Sequence, residues 1–141
     1  KNQSDVELIL RVYGLAYYLS KYEKPMKEFL NKVAKKEMKG YSNIDHFASA
    51  FERTADYINS ELRVKPFNVR GPFNVSLFDS VFCNILLHID NLPSNLSQRY
   101  EDLLLDQKFT DLTTLATTDE KILKERFSYV ESFLFGDGIH R

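Results

Sequence analysis

A chain of 141 residues, 43% apolar and 28% charged, suffices for one globular domain with an ordinary core and a radius of gyration of about 14 Å. Its one cysteine, Cys83, excludes an internal disulfide framework and favours a reduced, cytoplasmic setting; no basic-then-apolar segment opens the sequence, so a signal peptide is not expected, and no run approaches the ~18 apolar residues of a membrane span. Nineteen basic against twenty acidic residues exclude the strongly basic profile of a dedicated nucleic-acid binder and leave only local patches for that role.

The few glycines and prolines fall between apolar-periodic stretches, so the sequence reads as all-α: an irregular bundle of about six helices, forming a single domain over residues 1–141. The chain starts at Lys1 instead of Met, which suggests a piece of a longer protein. The first helix is expected from Ser4, with Glu7 completing a capping box, to about Tyr22. It is apolar almost all round, leaving a strip of Glu7, Arg11, Gly14 and Tyr18, and such a helix belongs at the centre of its bundle. Glu7 and Arg11 stand one turn apart, as a surface ion pair or as a partly covered pair that orients a neighbouring segment. Pro25 and Gly40 bracket a second helix with an inward stripe of Met26, Phe29, Leu30, Val33, Ala34 and Met38. Ser42 opens a third, whose stripe Ile44, Phe47, Ala48, Phe51, Ala55, Ile58 and Leu62 keeps helical spacing.

Residues 63–74 carry two prolines and a glycine and read as a loop, with a short extended piece as the alternative. A fourth helix follows from about Ser76 to Asp90 on Phe78, Val81, Phe82, Ile85, Leu86 and Ile89, and it joins the first at the expected centre. A fifth runs from about Asn95 to Asp106. After roughly one turn within residues 108–118, Thr117 or Thr118 is expected to cap a last helix that Gly136 stops. Phe51, Phe82, Ile85 and Leu10 are expected to be almost fully buried.

Chemistry-bearing patterns are scarce. His46, His88 and His140 lie on separate segments with no partner at ligand spacing, and no Gly-rich phosphate loop is present. Catalytic residues, metal and cofactors are accordingly expected to be absent. His88 reads as a boundary histidine, Cys83 as a small buried hydrophobe, and Asp119 and Glu120 as helix-start charges. Tyr13, Tyr17, Tyr18 and Tyr22 read as core packing with hydroxyls at the rim, or as a docking surface for a partner domain.

Two local features stand out. Between Lys21 and Lys39 the chain has seven lysines and three glutamates, a local excess of +4. Lys32, Lys35, Lys36 and Lys39 within that stretch form either a solvated face or an electrostatic contact to nucleic acid. The loop from Arg63 to Asn74 carries Arg63, Lys65 and Arg70 with no acidic residue, interleaved with Phe67 and Phe73. It is expected to be the best functional surface of the chain, docking a phosphate backbone or a neighbouring domain, with a connector plugged onto the core by its aromatics as the alternative.

The run Asp5-Val-Glu7-Leu-Ile-Leu-Arg11-Val-Tyr-Gly-Leu-Ala, then Tyr22 and Met26-Lys-Glu-Phe29-Leu30-Asn31, resembles the helical region following the nuclease core in a bacterial family with a ParB/sulfiredoxin-like fold. That family includes the GmrSD restriction enzymes, which attack modified phage DNA. Asn74-Val-Ser-Leu-Phe78-Asp-Ser-Val, and Thr118-Asp-Glu-Lys-Ile122 leading into Lys124-Glu-Arg126-Phe127, extend the resemblance over most of the chain. The family's Asp-Gly-Gln-Gln-Arg-like motif is absent. The resemblance therefore implies a non-catalytic accessory domain, with an upstream nuclease-like domain and DNA as partners. A protein-interaction or oligomerisation module without a nucleic-acid role is the second reading, and a free-standing small enzyme lacks any visible site.

Overall fold

The computed structural model describes residues 3–37 and 44–136. Within them the fold is all-α, as the periodicity predicts: α1 Gln3–Tyr17, α2 Met26–Glu37, α3 Ile44–Glu61, α4 Val75–Leu87, α5 Leu96–Leu104, α6 Gln107–Leu112 and α7 Glu120–Phe135, with a 3₁₀ turn over Leu19–Lys21 after α1. The expected roles of Met38, Lys39, Gly40, Ser42 and His140 lie outside the described residues. No described helix is long and apolar enough to cross a membrane.

The centre is α4, which packs against α1, α3 and α7. Every residue from Ser76 to Leu86 is buried, so the helix must satisfy its polar side chains internally. It does: Ser80 Oγ donates to Ser76 O at 2.9 Å, and Asn84 Nδ2 to Ser80 O at 2.8 Å and across to Phe127 O at 3.2 Å. Cys83, fully buried as expected, donates weakly to Val12 O at 3.6 Å. Asn74, extended in backbone, opens α4 by accepting from Leu77 N at 3.0 Å.

The second hub is α7, which packs on α4, α5 and α6; the expectation that α1 shares the centre with α4 is corrected. The N-terminal half of α1 is only partly covered, with Leu8, Ile9 and Leu10 all half-buried, whereas Val12, Tyr13 and Leu15 further along are buried. Phe51 is likewise half-buried, whereas Phe82 and Ile85 are buried as expected. An edge-on and tilted aromatic chain runs through the core, from Phe67 to Phe78, Phe82, Phe51, Phe47 and Tyr13.

Several boundaries shift for local reasons. Within the described residues α1 is already helical at Gln3, so Ser4 is not its cap, and it ends at Tyr17, short of Tyr22. Gly14, expected on its exposed strip, is buried where α2 crosses: a Cβ there would meet Phe29 Cε2 at 3.1 Å. α7 is capped by Asp119, not by Thr117 or Thr118; the Asp119 carboxylate accepts from Lys121 N and Ile122 N. Carboxylates suit that position because they also meet the positive end of the helix dipole. Residues 63–74 form a loop, and the turn expected near 108–118 is α6, capped by Asp106.

Candidate functional site

Polar side chains gather inside the bundle around Arg11, with partners other than the Glu7 that its sequence spacing offers. Asp79, fully buried on α4, receives a bidentate contact from Arg11 of α1, whose Nε lies 3.2 Å from Asp79 Oδ1 and whose Nη2 contacts Oδ2. Glu7 is therefore not the principal partner of Arg11, which holds α1 onto α4. Burial pushes the Asp79 carboxyl up from its usual range; the hydrogen bond and charge of Arg11, then Arg126, oppose it.

Arg126 of α7 is 1% exposed and donates to Leu112 O at 2.9 Å and Thr117 O at 3.1 Å. Desolvation lowers its pKa to about 10, with Asp79 resisting and Arg11 adding to the fall. Tyr22, also buried, donates to Thr118 O at 2.7 Å. Together these side chains tie α1, α4, α7 and the connection before α7 into one unit. Each hydrogen-bond partner in this set is a backbone carbonyl or an oppositely charged side chain, which fixes the relative placement of these elements, while the buried Arg126 Nε is left without a partner among the described residues. The one sequence signal was a charge inside an otherwise apolar run, Asp79 among Phe78, Val81 and Phe82.

The expected loop surface is largely engaged. Arg63 pairs bidentately with Glu101 of α5 at 2.7 and 3.1 Å. Arg70 donates to Thr110 Oγ1 at 3.1 Å. Lys65 is exposed, with a left-handed backbone at φ 51. Phe67 is buried and stacks edge-on against Phe78, while Phe73 stays 40% exposed and packs on both. The connector reading thus fits Phe67, and the basic residues diverge toward α5 and α6 instead of converging.

Beside Arg70 lies an open cleft of about 410 Å³ between the loop, α4 and α6, rich in threonine: Thr110, Thr113, Thr114 and Thr117. Thr110, Thr113 and Thr114 already donate their hydroxyls to helix carbonyls at 3.0–3.1 Å. Among described residues no group of three or more His, Cys, Asp or Glu is placed to hold a metal. His88 sits at the end of α4, stacked on Phe135 at 4.1 Å and 3.2 Å from Glu131, a boundary position as expected.

The lysines of α2 are placed differently. Lys32 and Lys35 are exposed and carry no ion pair among the described residues. Lys36 lies over the Tyr18 ring at 4.9 Å. The opposite side of α2, through Phe29, Leu30 and Val33, is buried against α1, so the lysine face points away from the core. Lys39 lies outside the described residues. Tyr13 and Tyr22 pack in the core, and Tyr18 is half-buried beneath Lys36.

No family model matches the sequence, and no curated protein or solved structure matches the chain.

Proposed function

We propose that this chain is a non-catalytic helical accessory domain of a bacterial DNA-targeting, nuclease-family protein. It supports an upstream nuclease-like domain and meets the DNA backbone with the outward face of α2. The class comes from the sequence resemblance; the contact rests on one observation, the exposed Lys32 and Lys35 beside Lys36 on a helix whose other face is locked to α1. The Lys32 and Lys35 ammonium groups, which carry no ion pair among the described residues, are available to phosphate oxygens, and a helix fixed by packing loses little freedom on docking. Arg63 and Arg70, by contrast, would first have to leave Glu101 and Thr110.

The test is fluorescence anisotropy with a labelled DNA duplex at low salt, comparing the wild type with Lys32→Gln/Lys35→Gln/Lys36→Gln and with Arg63→Gln/Lys65→Gln/Arg70→Gln. The α2 set should lose most of the binding and the loop set little. Equal retention in both would count against the reading. A protein-interaction module is the second reading, favoured by the apolar trough that the half-buried edges of α1 and α3 leave open.

A further inference from the structure

Between α1 and α3 runs an open groove of about 560 Å³, floored by Phe47 and walled by Ile9, Ile44, Ala48, Phe51 and Ala55. Both helices pack on α4, but they are not packed extensively on each other, so the groove opens over the seam. Ile44, at the start of α3, is an apolar side chain left 50% exposed among the described residues.

Among the described residues that line the groove, charge comes from α3 alone. Glu52 and Asp56 line it, one turn apart on α3, and Asp45 extends the same stripe toward the start of that helix. On a 100° wheel the three carboxylates fall within about 40° of one another, directly beside the Ile44, Ala48, Phe51 and Ala55 stripe. None of the three has an ion pair among the described residues, although Arg53, on the same helix, pairs with Asp90 at 2.7 Å. Like charges one turn apart repel, and among the described residues no ion pair offsets them.

We infer that the α1–α3 groove is a docking site for a basic amphipathic helix of a partner protein. The helix lays an apolar stripe over Phe51 and Ala55 and sets lysine or arginine side chains against Asp45, Glu52 and Asp56. Length, apolarity and an acidic rim are what helix-in-groove recognition of a cationic helix requires. Docking would neutralise the repelling stripe and cover Ile44. The inference goes beyond DNA contact by α2: Gly14 faces α2 while Ile9 faces the groove, so either surface can fail without the other.

Two acetylated, amidated peptides of about 16 residues test it, each with leucines at i, i+3, i+4 and i+7, one flanked by lysines and one by glutamates. Amide and methyl shifts of Ile44, Ala48 and Ala55 report occupancy. The lysine peptide should bind at least about tenfold more tightly than the glutamate peptide. Glu52→Lys/Asp56→Lys should invert that order, and Ala48→Arg should abolish binding of both. All three positions are exposed, and circular dichroism checks that the variants keep the fold. Absent shifts at the groove, or affinities indifferent to the charge reversal, would overturn the proposal. So would dilution-dependent shifts of the same residues without peptide, since a second copy of the chain would then be the occupant.

Discussion

The Arg11 guanidinium of α1 closes bidentately on the Asp79 carboxylate of α4, 68 positions away in the chain, with Asp79 wholly removed from water. Breaking a buried pair strands the remaining charge, at a cost of about 3–5 kcal/mol, whereas replacing both partners by apolar groups is often close to neutral. Arg11→Met should therefore destabilise by roughly that amount in guanidinium titrations, and Arg11→Met/Asp79→Leu by distinctly less. A loss below about 1 kcal/mol for the single substitution would show that the pair does not anchor α1.

Phe82 and Phe51 touch at 4.8 Å between centroids but differ in burial. Phe82→Ala should cost about 3–5 kcal/mol, the range for emptying a buried aromatic site. Phe51→Ala should cost well under that, because the groove already gives its ring partial access to water. Chemical denaturation of the two variants side by side reads the difference, and equal losses would mean that the groove closes over Phe51 in solution.

Ala116 holds a left-handed backbone at φ 48 while exposed, in the connection between α6 and α7. A side chain there costs about 1–2 kcal/mol, and glycine forfeits part of the relief through its larger unfolded-state entropy. Ala116→Gly should raise the midpoint of thermal unfolding, with a net gain of up to about 1 kcal/mol at most. An unchanged or lower midpoint would contradict the strained geometry.

Stability should also fall at alkaline pH. Burial first, then the hydrogen bond from Tyr129 to Asp106 at 2.6 Å, raise the Tyr129 phenol to about 12, and burial also raises Tyr100, whose hydroxyl donates to Pro66 O. A group whose folded pKa lies above its unfolded value gives stability that is full below the unfolded value, near 10, and is lost as pH rises through the folded value. Arg126, lowered by desolvation to about 10, acts in the opposite direction above that pH, because there the unfolded chain binds the proton better. With two strongly raised tyrosines against one arginine, the net slope should be downward above pH 10. Burial also raises Tyr17, Tyr22 and Tyr57, so tyrosinate absorbance should show several late phenols, with the Tyr129 component removed in Tyr129→Phe.

Much of the fold was legible because helical packing writes itself locally: Phe78, Val81, Phe82, Ile85 and Leu86 recur at helical spacing and are all buried. The Arg11–Asp79 contact was not, since a pair 68 residues apart leaves no local period, and the sequence offers Glu7 as an equally plausible partner for Arg11. The groove was hidden for a related reason. Periodicity marks Ile44, Ala48, Phe51 and Ala55 as one stripe, but whether another helix covers that stripe depends on how α1 and α3 splay on α4. The basic loop looked like a surface because its acidic partner, Glu101, comes from another helix. The lysine face of α2 could be read directly, because both its charge and its opposing apolar stripe lie within one helix.

The measurement that bears most directly on the proposed role is the salt dependence of duplex binding. Each lysine that neutralises a phosphate contributes about −0.9 to the slope of log affinity against log salt. Wild-type protein should bind with a negative slope, and replacing Lys32, Lys35 and Lys36 by glutamine should make that slope shallower by about 2 to 3 while leaving the helical circular dichroism unchanged. Duplex binding whose slope is the same in the wild type and the triple variant, or no duplex binding by the wild type at low salt, would contradict the account.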